Sequence, residues 1–129
     1  MAWVDLMTDR TAKRILIVED EFLVALHLED ALTGMGHQIV GPCTRIQAAM
    51  VVARERSIDF AILDINVAGT PSFPVADILR QRSIPFVFAS GYGLEGLVDG
   101  YRNEIALRKP YDLEELRGAI IRIFPELSH

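Results

Sequence analysis

The sequence predicts an α/β protein: a doubly wound, five-stranded parallel sheet with helices on both faces. Three observations predict it. Apolar runs at Ile15-Leu16-Ile17-Val18, Phe60-Ala61-Ile62-Leu63, Phe86-Val87-Phe88-Ala89 and Ile105-Ala106-Leu107 read as buried core strands. Amphipathic segments alternate with strands five times over, the pattern of repeated strand–helix units joined by right-handed crossovers. The runs also end on polar residues: Glu19-Asp20, Asp64, Ser90 and, one residue late, Lys109. In a parallel sheet those ends share one edge, where ligand sites sit in open α/β folds.

The elements follow in order. Residues 1–12 read as an extension, with Trp3, Leu6 and Met7 either packing as a short helical turn or fraying. Strand one spans about 14–18. Helix one runs from about Glu21 to Thr33, with Leu23, Leu26, Ala31 and Leu32 at helical spacing, and Gly34 and Gly36 end it. Strand two is His37 to Gly41. Thr44 is placed to cap a second helix over about 45–56, packed through Ala48, Ala49 and Val52. Strand three is 59–63, and Asn66 to Ser72 is loop. Pro74 suits the first turn of helix three, where its missing N–H is not needed, and Val75, Ile78 and Leu79 form the apolar stripe. Strand four is 85–89. The stretch Ser90 to Gly100 holds four glycines, so a helix over about Leu94 to Val98 is expected to be marginal. Strand five is 105–108. Asp112 opens a final helix with Leu113, Leu116, Ala119, Ile120 and Ile123 on one side, stopped by Pro125. Residues 13–124 form one domain and 125–129 a tail.

Composition narrows the function. The 129 residues fit one domain. Thirteen basic against 18 acidic residues leave a net charge of -5, which disfavours a direct nucleic-acid partner. Cys43 is alone, so neither a disulfide framework nor a cysteine metal site exists within the chain, and a cytosolic home is the simplest reading. No run approaches the ~20 apolar residues of a membrane helix, and residues 1–10 lack the layout of a secretory signal.

The polar edge is where the chemistry concentrates. Glu19 and Asp20 end strand one and Asp64 ends its neighbour in a doubly wound sheet. Three carboxylates held together repel unless a cation neutralises them. With waters and the backbone carbonyl of Asn66 they could complete an octahedral Mg²⁺ site; the plainer alternative is that Glu19 and Asp20 only open helix one, where negative charge is favourable. Lys109, held extended by Pro110, either pairs with Asp64 or an anion on it, or is an ordinary surface lysine. The Ser90 hydroxyl is a further donor. Together these groups suggest phosphoryl chemistry, with Asp64 as nucleophile, Mg²⁺ offsetting oxygen charge, and Lys109 and Ser90 on the phosphoryl oxygens. No histidine base reaches this edge: His27 is mid-helix, His37 starts strand two, and His129 is terminal. No glycine-rich turn follows strand one, so nucleotide binding has little support.

Residues 13–124 resemble the response-regulator receiver domains of two-component signalling. The resemblance implies the flavodoxin-like (βα)5 architecture with strand order 2-1-3-4-5. It makes Glu19 and Asp20 the acidic pair, Asp64 the phospho-acceptor, Ser90 the Thr/Ser switch position, Lys109 the lysine before proline, and Asn66 the residue whose carbonyl binds Mg²⁺. It further implies a single-domain bacterial regulator that takes its phosphoryl group from a histidine kinase, sheds it by self-dephosphorylation, and signals by protein contact or phosphorelay. The chain departs from the family at Ala106, where a Tyr or Phe is usual. Pro85-Phe86-Val87-Phe88-Ala89-Ser90-Gly91-Tyr92 is similar to the PFxFATGY motif of an atypical, often stand-alone subfamily, with Ser for Thr. Their kinases are commonly of the HWE type. On this reading Ser90 and the stretch Gly91 to Gly100 carry the switch. Tyr92 is then either a readout residue or a packed core tyrosine. Strand five, helix five and the fourth-helix region would form a partner or homodimer face. A phosphorylation-silent receiver-like adaptor is the main rival. A small-ligand or flavin module on the same topology is disfavoured by the clustered carboxylates.

Overall fold

The structure is a computed structural model that describes residues 12–91, 100–101 and 104–127. The strands are β1 (Arg14–Val18), β2 (Gln38–Cys43), β3 (Phe60–Asp64), β4 (Asn66–Val67), β5 (Thr70–Pro71), β6 (Phe86–Ser90) and β7 (Ala106–Arg108). The helices are α1 (Phe22–Gly34), α2 (Ile46–Glu55), α3 (Phe73–Gln81) and α4 (Leu113–Ile123), followed by a 3₁₀ turn at Pro125–Leu127. The main sheet is parallel with order β2-β1-β3-β6-β7, the predicted 2-1-3-4-5 once the small β4–β5 hairpin is set aside.

Alternation along each strand divides the core in two. Ile15, Ile17, Phe60, Ile62, Val87, Ala89 and Leu107 pack under α1 and α4 against Leu28, Leu32, Leu116 and Ile120. Leu16, Val18, Ala61, Leu63, Phe86 and Phe88 pack under α2 and α3 against Ile46, Ala49, Val75 and Leu79. Strands covered on both faces need apolar side chains at every position, which is why these segments read as unbroken runs. Each fully buried aliphatic or aromatic side chain contributes about 1.5–3 kcal/mol, so the two layers fix the sheet and with it the polar edge.

Several local expectations are corrected. In α1 the buried residues are Ala25, Leu28 and Leu32, while Leu23 and Leu26 are 75% and 42% exposed. Of the expected stripe, Leu32 is buried and Ala31 packs against the core, but the segment is apolar on more than one side, so spacing alone also takes in the exposed Leu23 and Leu26. Ala48 in α2 is exposed, and Ile46, Ala49 and Ala53 face the core. Leu113 of α4 is exposed at 41%. Arg45, not Thr44, holds the N-cap position of α2, without a side-chain cap bond. Strand two runs on to Cys43, and β3 and β6 each end one residue later than expected, so that Asp64 and Ser90 close their strands. The loop from Asn66 to Ser72 contains the β4–β5 hairpin, with Asn66 opposite Pro71 and left-handed backbone at Ala68 and Gly69 between its strands.

Other expectations hold. Pro74 lies in the first turn of α3, and the Asp112 carboxylate caps α4 by accepting from the Glu115 N–H at 2.8 Å. The expected turn at Trp3, Leu6 and Met7, the marginal helix over 94–98 and Tyr92 lie outside the described residues. No helix among the described residues is long and apolar enough to cross a membrane.

Beside the short edge strand, Ala106 pairs in register with Phe88. Ala106 packs against the α2/α3-side core, which also holds Tyr101. Tyr101, 7% exposed, packs in the same cluster, its ring 5.9 Å from Phe88 and 4.9 Å from Phe73 between centroids. Arg80 covers the ring at 4.4 Å and bonds to the Gly100 carbonyl and to Glu104.

Candidate functional site

Four strand ends build the site at the C-terminal edge of the sheet. β1 delivers Glu19, whose N–H donates to the Cys43 carbonyl and continues the β1–β2 ladder by one residue. Its side chain is buried at 2% exposure, and Oε2 accepts from the Glu21 N–H at 3.1 Å, tying it to the start of α1. Asp20, one residue on, points outward, and its Oδ2 accepts from the Ala68 N–H of the β4–β5 hairpin at 3.0 Å. Asp64 closes β3 opposite Ala89. Ser90 closes β6, buried, and its carbonyl accepts from the Lys109 N–H at 2.8 Å. That bond brings Lys109 to the same edge although β7 ends at Arg108.

Lys109 links the carboxylates. Its Nζ lies 2.6 Å from Glu19 Oε1 and 3.1 Å from Asp64 Oδ2. Burial pushes the Glu19 carboxyl up to about 7, against the Lys109 and Glu21 hydrogen bonds that favour its charged form. At Lys109 burial alone would lower the ammonium's pKa, but the bond to Glu19 and the Asp64 charge outweigh it and raise the value. Glu19, Asp20 and Asp64 each offer an oxygen, all within 4.8 Å of one another. These are hard oxygen donors at the spacing of a small divalent cation, so the set fits Mg²⁺ or a similar ion. Because both Glu19 oxygens already hold partners, Asp20 and Asp64 are the better placed for direct contact. The cleft above them, about 690 Å³, is lined by Asp20, Asp64, Asn66, Phe73, Ser90 and Lys109 among others.

No family model matches the chain. It is similar to the solution structure of SdrG from Sphingomonas melonis Fr1, with 36% identity, a TM-score of 0.79 and coverage of 88% of this chain and 98% of that one. The REC domain of the PhyR response regulator from Erythrobacter litoralis superposes with a TM-score of 0.77 at 30% identity, over 88% of this chain and 90% of that one. This chain belongs to the response-regulator receiver family. Among curated relatives, the phyllosphere-induced regulator PhyR of Methylorubrum extorquens is 33% identical over 114 residues, which are 84% of this receiver and 42% of PhyR. Sporulation initiation phosphotransferase F of Bacillus subtilis is 25% identical over 122 residues, 91% of the receiver and 98% of that protein. The receiver thus spans less than half the length of PhyR.

The structure gathers Asp20, Asp64, Asn66, Ser90 and Lys109 around one cleft, with Glu19 buried beneath it on Lys109, all named from the sequence. Ala106 lies apart from it, in the core cluster on the α2/α3 side. Three features escaped the sequence reading. Tyr101 packs on Phe73 and Phe88 in the core that Ala106 also borders. Tyr111 packs beside Lys109 with a buried hydroxyl; its place two residues after the lysine was the available signal. The third is an apolar surface on α1: Phe22 at 74%, Leu23 at 75% and Leu26 at 42% exposure. Leu23 lines, with Glu21, Lys109 and Tyr111, a groove that adjoins the cleft.

Proposed function

We propose that this receiver accepts a phosphoryl group on Asp64 from a histidine kinase and signals by protein contact or by relaying the group onward. The observation that carries the reading is the Lys109 ammonium bridging Asp64 and a buried glutamate, with Asp20 alongside. An Asp64 carboxylate oxygen attacks phosphorus, the bond to the donor nitrogen breaks, and the leaving imidazole nitrogen takes a proton from solvent, the carboxylate having none to give. Lys109, already 3.1 Å from Asp64 Oδ2, is placed to meet the incoming phosphoryl oxygens, and Ser90 lies at the same edge to donate a hydroxyl. Asp20, Asp64 and the Asn66 carbonyl would hold a divalent cation, with Glu19 behind them. When bound, that ion supplies charge neutralisation for the phosphoryl oxygens. Hydrolysis of the acyl phosphate at the same site resets the receiver.

Further support comes from the surface. A protein donor has to cover the cleft to reach Asp64, and the exposed apolar residues of α1 beside it offer such a partner a landing place. The resemblance to the PFxFATGY subfamily points to an HWE-type kinase and a cytoplasmic setting. It also assigns the switch to Ser90 and the glycine-rich stretch after it, with Tyr92 as readout and the β7–α4 side as the partner or dimer face. Light scattering with and without phosphorylation checks the dimer.

The deciding experiment is incubation with Mg²⁺ and a small phosphoryl donor, followed by intact mass. Wild type should gain one phosphoryl group and Asp64→Asn none. Labelling of Asp64→Asn at another site would move the acceptor elsewhere. No labelling of wild type would favour a phosphorylation-silent adaptor.

A further inference from the structure

Two elements of the cleft share a neighbour outside it. Phe73 opens α3 and lines the cleft. Phe88 lies on β6, two residues before Ser90. Both rings touch Tyr101, at 4.9 Å and 5.9 Å between centroids, and they touch each other at 5.6 Å. Tyr101 is buried, so a shift of either ring reaches it directly, because close-packed side chains transmit displacement. Its hydroxyl is the loosely held end. The bond it donates to the Phe73 carbonyl is 3.5 Å long, well beyond the usual length for a hydroxyl.

A clamp closes over this ring from the surface. Arg80 lies in the last turn of α3, about 10 Å along the helix from Phe73 and on the same side. Its guanidinium sits over the Tyr101 ring at 4.4 Å and donates to the Gly100 carbonyl at 3.1 Å and to Glu104 at 3.0 Å. The ion pair is partly exposed, 44% at Arg80 and 30% at Glu104. Such a pair adds little to the stability of the fold, yet this one ties the approach to β7 to the end of α3. Neither Arg80 nor Glu104 lines the cleft. The path from the cleft to the clamp runs through Phe73 and Tyr101, each in contact with the next.

We propose that Tyr101 couples occupancy of the cleft to the Arg80–Glu104 clamp, which loosens when a phosphoryl group sits on Asp64. The inference rests on the phospho-acceptor reading above. A phosphoryl group makes the cleft wall at Phe73 and the end of β6 at Ser90 adjust around it. The Phe73 and Phe88 rings then shift against Tyr101, and ring and guanidinium no longer both keep their places. Linkage sets the test: if occupancy weakens the clamp, removing the clamp beforehand strengthens occupancy by the same factor. Beryllium trifluoride with Mg²⁺ serves as phosphoryl mimic on wild type, Arg80→Ala and Glu104→Gln. Both variants should bind it about threefold more tightly, the scale of one exposed ion pair. The two substitutions change the net charge in opposite senses, so a plain charge effect would weaken anion binding in the first and strengthen it in the second. In a Tyr101→Leu background, Arg80→Ala should no longer alter the affinity. In wild type, the Arg80 Nε and Tyr101 ring resonances should shift on mimic binding, a readout that needs no variant. Unchanged affinity, changes of opposite sign, a gain that persists without the Tyr101 ring, or unmoved resonances would each overturn the coupling. If wild type itself neither binds the mimic nor accepts phosphate, the phospho-acceptor reading fails and takes this one with it. If wild type does both and the variants match it, only the coupling falls.

Discussion

Lys109 shows how much a single side chain carries here. From the sequence it is a lysine facing one aspartate. In the structure its shorter contact is to Glu19, at 2.6 Å, inside the protein. Removing it should therefore harm the fold as well as the chemistry. In metal-free buffer, Lys109→Met should lose about 3 kcal/mol, because a charge is stranded when one partner of a buried pair is removed. Adding Glu19→Gln should restore much of that loss, measured by urea unfolding of the single and double variants. Recovery would assign the cost to the stranded carboxylate; none would assign it to packing of the lysine stem. Asp20 behaves differently because it is exposed. Asp20→Asn should leave the metal-free protein as stable or more so, by relieving repulsion, and should shrink the rise in melting temperature that Mg²⁺ brings to wild type. The same rise in both proteins would remove Asp20 from the metal set.

Among the elements, α1 separates what periodicity can and cannot tell. Its existence and limits were legible from Glu21 to the glycines that follow. Its buried stripe was legible only in part, at Ala31 and Leu32, since leucines on two sides both satisfy helical spacing, and only the position of the sheet adds Ala25 and Leu28 and leaves Leu23 and Leu26 outside. Leu23→Glu should change stability by no more than about 0.5 kcal/mol, as for an exposed site. It should slow transfer from the kinase while leaving labelling by a small donor intact, a split that paired phosphotransfer assays would read. Equal rates from both donors would take α1 out of the docking face. On the other side of the sheet Tyr101 is a core residue, in ring contact with Phe73 and Phe88. Tyr101→Ala should cost about 3 kcal/mol, the low end for truncating a buried aromatic side chain, in thermal or urea unfolding.

At the scale of the molecule, the edge of the sheet opposite the cleft holds a pH-dependent tie. His37 is buried, and its Nδ1 accepts from the Lys13 N–H at 3.0 Å, joining the start of β1 to the entry of β2. Burial, then the Lys13 charge, lowers its pKa below the usual 6.5. The neutral ring is thus favoured in the folded protein, and the unfolded chain binds more protons between the two values. Stability from this group is complete above pH 6.5 and is lost as pH falls through the folded value. His37→Gln should flatten the fall in melting temperature between pH 7 and pH 5. An unchanged slope would place the acid sensitivity elsewhere.

The sequence by itself determined the strands, their order through the family resemblance, and the polar residues that end them. Buried parallel strands need unbroken apolar runs, and a carboxylate closing such a run is conspicuous. Tertiary structure alone decided which partners those residues take. That Glu19 lies inside and binds Lys109, that Asp20 turns out to the β4–β5 hairpin, that Tyr101 packs on Phe73 and Phe88, and that the Tyr111 hydroxyl is buried without a partner among the described residues all depend on contacts between distant parts of the chain. Local spacing specifies which way a residue points from its own helix or strand. It does not specify what stands opposite, because that is set by how the layers pack.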